Sequence, residues 1–148
     1  APRPPEIIHA LEFDLNGNLV EQVPLPSECA DELLASHVIE HFYVWQTPAV
    51  VGEWRRLLKQ GGSLILELPN LEAAAKNVLA DMDDQMTMWP LYGDPGHRDP
   101  YMCHRWAFTP KTIVALLTGC GFCRVKVKPP QTHRARANRD MRVEAVKA

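Results

Sequence analysis

"EWRRLLKQGGSLILELPNL", residues 53–71, holds the end of an amphipathic helix, a glycine pair, a strand and the cap of a second helix. Reading back from it, Val50, Val51, Trp54, Leu57 and Leu58 recur at helical spacing and share one apolar face. Thr47 is placed to cap that helix. Pro48 follows at its first position, where a missing N–H costs nothing. Lys59 suits the negative end of the helix dipole, and Gly61 and Gly62 are expected to stop the helix. Reading forward, "SLILELP", residues 63–69, is a short apolar run with strand character. Asn70 then caps a helix expected over "LEAAAKNVLADM", residues 71–82. A strand enclosed by helices predicts an α/β sheet.

The rest of the chain extends the pattern. "EIIHALEF", residues 6–13, reads as a strand closed by the turn-rich "DLNGN". A proline-bearing loop leads to "ADELLAS", residues 30–36, a short run that fits a buried strand, and then to a short helical segment over 37–44. Residues 83–108 form a long irregular stretch of the length used for lids and binding segments. Thr109 and Pro110 repeat the cap-then-proline signal ahead of Ile113, Val114, Leu116 and Leu117, with Gly119 and Gly121 beyond. "FCRVKVKPP" and "DMRVEAVKA" alternate like two strands of an antiparallel hairpin. All of this fits one domain over residues 1–148.

Composition limits the function classes. The chain is 46% hydrophobic, ordinary for a globular protein, and no window resembles a membrane span or a secretory leader. Formal net charge is −2, but residues 122–148 carry eight Lys/Arg against Asp140 and Glu144. No aromatic stripe interleaves these charges, so they read as a solvated hairpin rather than a nucleic-acid surface. Of four cysteines, only Cys120 and Cys123 are close. A lone C-x-x-C after a helix is neither a zinc site nor a redox motif, and unpaired cysteines suit a reducing cytoplasm.

"ELLASHVIEHF", residues 32–42, puts His37, Glu40 and His41 just past a strand. On a helix they would point to one side and make a partial metal face. The competing expectation is that no metal binds and these groups make local hydrogen bonds.

In this order, "FDLNGNLVEQVPLPSECADELLASHVIEHF", "EWRRLLKQGGSLILELPNL", "GDPGHRDPYMCHRWAFTPKTIVALLTGCGF" and "RDMRVEAVK" resemble a class I S-adenosylmethionine-dependent methyltransferase, of the small bacterial predicted type. The resemblance implies a partial Rossmann-like sheet matching strands 3 to 7 of the family, with flanking helices and a C-terminal antiparallel hairpin. It implies that Asp14, with the Leu15 backbone, meets the donor's adenine, and that Ser36 and His37 line the donor pocket. His97 corresponds to a histidine over the acceptor pocket, where it would take up a proton from a small-molecule acceptor. The family's first two strands, with the glycine-rich donor-binding turn, would precede residue 6. Residues 1–148 are therefore expected to resemble a methyltransferase yet to hold S-adenosylmethionine poorly alone. An uncovered sheet edge is expected to invite a homodimer. Two other classes stay open: a non-catalytic assembly module, and a metal-dependent enzyme resembling the small-RNA 2′-O-methylating methyltransferases, a resemblance that implies His97 or His104 as the downstream metal ligand.

Overall fold

The computed structural model describes residues 11–148. The strand expected over 6–13 therefore falls mostly outside the described residues. At its end, Phe13 bridges Leu19 across the "DLNGN" turn. Four strands form one sheet: β1 (Ala30–Ser36), β2 (Leu58–Pro69), β3 (Phe122–Lys128) and β4 (Asp140–Lys147), in spatial order β1-β2-β4-β3. β1 and β2 are parallel, and the β2–β4 and β3–β4 pairs are antiparallel. Helices α1 (Thr47–Leu57), α2 (Leu71–Leu79), α3 (Met88–Tyr92) and α4 (Pro110–Gly119) connect them.

Strand alternation sorts the two faces of the sheet. Leu64, Leu66 and Leu68 of β2 stand beside Ala145, Val143 and Met141 of β4. All six are buried with Val50, Val51 and Trp54 of α1 and Ile113 and Leu117 of α4. The opposite face carries Glu67, Arg142, Glu144 and Lys128 in a chain of ion pairs. The loop before β1 is fastened to α1, because Arg56 donates to the Leu25 and Val23 carbonyls and Glu53 accepts from the Val23 amide.

Several local expectations hold. Asn70 accepts from the amides of Glu72 and Ala73, and Thr109 and Thr112 form a reciprocal cap on α4. Others are corrected. Thr47 is not the cap of α1: a 3₁₀ turn over Val44–Gln46 runs straight into the helix, and the Thr47 hydroxyl donates back to the Val44 carbonyl. Gly61 and Gly62 do not stop α1, which ends at Leu57. Leu58 is already extended and pairs with Ala30, because its buried side chain belongs to the sheet core. The glycines sit instead where the β1–β2 register shifts, with Gly61 at φ +75°, and Lys59 pairs with Asp31. α2 stops at Leu79, three residues short of expectation.

Candidate functional site

β1 ends at Ser36, and the chain turns sharply at His37, whose φ is +54°. Left-handed backbone at a non-glycine residue is costly and clusters at functional sites. Here it is fixed by the His37 amide, which donates to the Glu67 carbonyl at 2.7 Å. A 3₁₀ turn over Ile39–His41 follows, with all three residues buried, in place of the single helical segment expected over 37–44.

The His37 ring stands between two buried carboxylates. Nδ1 is 3.2 Å from Glu40 Oε1, and Nε2 is 3.4 Å from Asp140 Oδ2. The second contact is an ion pair without hydrogen-bond alignment. Burial opposes the charge on His37, but Asp140 and Glu40 outweigh it and raise its pKa to about 9. Burial likewise works against the Asp140 carboxylate, yet His37 and Arg139 hold it below its usual range. At His41 burial wins: it pushes the pKa down although Glu40 favours the charged form.

Two further segments complete the cleft. Glu67, at the end of β2, accepts from the amides of Gln131 and Thr132 and from the Thr132 hydroxyl, and pairs with Arg142. This carboxylate pulls the β3–β4 loop over the strand ends and brings Arg136 and Arg139 to the cleft. The long stretch over 83–108 is not irregular throughout. It holds α3 and 3₁₀ turns at Pro95–His97 and Pro100–Met102, and the His104 amide closes it onto the Tyr92 carbonyl. Arg105 fastens it to the turn after β1: its amide donates to the Glu40 carbonyl and its guanidinium to the His41 carbonyl.

Between these segments lies a cleft of about 210 Å³, lined by His37, His41, Trp89, His97, His104 and Arg139 among others. The fold thus brings His37 and His97 into one cleft. Ser36 lies in the β1–β2 register opposite Glu67 and is not among the lining residues. Neither are Asp14 and Leu15, which sit in an exposed turn. There the Asp14 oxygens accept from the Asn16 amide and from the Asn18 amide and side chain. Among the metal-ligand candidates, the structure groups Glu40 and His41 with His104 rather than with His37. Sequence reading missed Glu67 and Asp140 as organisers of the cleft; the word "RDMRVEAVK" contained Asp140 but gave no hint of its partner.

The cleft opens at the carboxyl ends of two parallel strands, where α/β sheets bind ligands. A parallel pair, β1 and β2, continued by two antiparallel strands, with β4 inserted between β2 and β3, is the strand order expected for strands 4-5-7-6 of one fold. The fold is that of the class I S-adenosylmethionine-dependent methyltransferases.

A family model described as a methyltransferase domain matches residues 6–66. A SAM-dependent methyltransferase from Archaeoglobus fulgidus superposes with a TM-score of 0.57 at 16% identity, covering 83% of this chain and 62% of that one. A SAM-dependent methyltransferase from Thermotoga maritima, a possible histamine N-methyltransferase, gives 0.57 at 17%, covering 86% and 60%. A Haemonchus contortus phosphoethanolamine N-methyltransferase in complex with phosphomonomethylethanolamine and S-adenosylhomocysteine gives 0.50 at 11%, covering 83% and 35%. The chain thus spans less than two thirds of each of these structures. No curated protein matches it.

The donor implied by this fold can be tested against the described residues. Their cleft is smaller than the roughly 300–1,000 Å³ typical of small-molecule pockets. Among the described residues, no glycine-rich strand-to-helix turn stands beside β1; Gly61 and Gly62 lie within β2. The described residues therefore do not by themselves enclose a pocket of the size such a donor needs. Among the described residues, no helix is long and apolar enough to cross a membrane.

Proposed function

We propose that residues 1–148 form the sheet half of a S-adenosylmethionine-dependent methyltransferase domain, and that a small methyl acceptor is seated in the histidine-lined cleft. The observation that carries this is the cleft's position at the carboxyl ends of β1 and β2 in methyltransferase strand order. The donor supplies an already activated methyl group, so the protein's task is positioning and water exclusion. Ser36 and His37 would touch the donor, with Asp14 and the Leu15 backbone at its adenine end. His97, half-exposed on the lid with Nε2 3.9 Å from Asp94 Oδ2, is the group to accept the acceptor's proton. The lid, held down by Arg105, excludes water.

This reading includes the expectation that residues 1–148 bind the donor poorly unless upstream residues supply the rest of its pocket. Calorimetric titration with S-adenosylmethionine tests it, on this chain and on one extended by its upstream genomic sequence. Micromolar binding by the extended chain alone is the expected result. Equal binding by the short chain defeats the expectation, and no binding by either defeats the methyltransferase reading.

A second reading, an assembly module, is favoured by one observation. Among the described residues β1 pairs only with β2, leaving an open edge beside the exposed Leu34.

A further inference from the structure

We propose that the cleft holds its ligand by an anionic group, a carboxylate or a phosphomonoester, seated on the guanidinium of Arg136 beside that of Arg139. That this ligand is the methyl acceptor rests on the reading above; the anion site itself does not.

The basic end of the chain is not spent evenly. On the far face of the sheet Arg142 pairs with Glu67 and Glu144, and Lys128 pairs with Glu144. At the cleft, Arg139 Nε donates to Asp140 Oδ1 at 3.2 Å and Nη1 to the Gln85 carbonyl at 2.8 Å, which leaves Nη2 outside these bonds. Arg136 differs from all of these. It lines the cleft half-buried, and among the described residues its guanidinium has neither a carboxylate nor a hydrogen-bond partner. A cation drawn away from water without a counter-charge is unfavourable. Its planar fork suits the paired oxygens of a carboxylate or phosphate.

The turn that carries Arg136 is fastened on both sides. In the 3₁₀ turn over Arg134–Arg136, the Arg136 amide donates to the His133 carbonyl, and the Arg139 amide donates to the Arg136 carbonyl, each at 2.9 Å. Upstream, Glu67 holds the Thr132 amide and hydroxyl. Downstream, Asn77 Nδ2 donates to the Asn138 carbonyl at 3.1 Å, and the Asn70 amide to the Arg139 carbonyl at 2.9 Å. A solvated hairpin tip needs no such anchorage. A site that must present a cation at a fixed place does.

The acids around the cleft are engaged elsewhere. Asp140 is fully buried against His37 and Arg139, and Glu40 is buried against His37. Asp94 caps its own turn by accepting from the Gly96 amide at 2.8 Å. The half-buried Trp89 and Met102 add apolar lining to a cleft of about 210 Å³. A fixed cation with apolar lining in so small a space suits a small molecule with an anionic head and an apolar or aromatic body.

The test titrates the full ¹⁵N-labelled chain, without donor, with phenyl phosphate, phenylacetate and the neutral benzyl alcohol. Calorimetry and the arginine Nε–Hε signals report binding. At least one of the two anions should bind saturably and shift the Arg136 signal, and the tighter of them names the head group. Benzyl alcohol should bind at least about tenfold more weakly, as should the preferred anion to Arg136→Gln. Arg136→Lys should recover part of the loss. Lys126→Gln, which removes the same charge from an exposed position on the far face, should bind as wild type does. The Arg136 side chain holds no other element, so its variants should keep the wild-type melting temperature. Saturable binding of neither anion, benzyl alcohol binding equally well, or the same loss in Lys126→Gln overturns the proposal. The donor titration described above stays a separate arm. Donor binding without anion binding defeats this proposal alone. Anion binding without donor binding upholds the site and defeats only its role for a methyl acceptor.

Discussion

His37 and Asp140 meet at 3.4 Å across a strand that lies between their own: His37 follows β1, Asp140 opens β4, and β2 runs between them. The pair closes one wall of the cleft, with the Asp140 side chain fully buried and His37 partly so. Removing one partner leaves the other charged and poorly satisfied. Asp140→Asn should therefore cost roughly 2–4 kcal/mol, measured as a lower urea midpoint at unchanged slope. A loss under half a kcal/mol would show that the pair is dispensable.

Arg105 pins the lid. Its guanidinium donates to the His41 and Pro100 carbonyls and stands 5.0 Å from the Tyr43 ring centroid. In Arg105→Ala these contacts vanish together, and the segment around the exposed Arg98 should open more often. Trypsin cleavage after Arg98 should quicken several-fold while the global melting temperature falls only modestly. Unchanged cleavage with a collapsed melting temperature would make Arg105 a core support rather than a lid latch.

Glu53 is the clearest source of acid sensitivity. Arg56 beside it, together with the Val23 amide, holds its carboxyl below the usual range, against burial. A depressed folded pKa means the contribution is fully present above the unfolded value near 4.5 and is lost as pH falls through the folded one. Wild type should lose this stability progressively as pH falls from about 4.5 through the folded pKa. Glu53→Gln should be about 1–3 kcal/mol less stable at pH 7, with a flatter pH dependence over that window. Parallel pH curves for the two proteins would refute the assignment.

The β1 edge, unpaired on its outer side among the described residues, predicts self-association. Light scattering should show mass rising toward a dimer with concentration, and Leu34→Lys, which places a charge beside the edge, should restore the monomer. A monomeric wild type at high concentration would argue that the edge is protected.

Local sequence determined much of this protein. The apolar faces of α1 and α4, the Asn70 and Thr109 caps and the alternation in β2 and β4 each reside in a window shorter than one element. Near-neighbour sterics and hydrogen bonds suffice to set them. Local signals failed where tertiary burial overruled them: Leu58 reads as helical, yet the sheet core claims it for β2 and moves the helix end ahead of the glycines. The cleft was half legible. His37, Glu40 and His41 announce themselves in one word, but nothing in that word says which partner each will face. That choice belongs to Asp140, Glu67 and His104, which lie far along the chain. They converge because β4 inserts beside β2 and because the lid folds back through Arg105. Long-range packing alone turned His37 toward Asp140 and put His104 in its place beside Glu40 and His41.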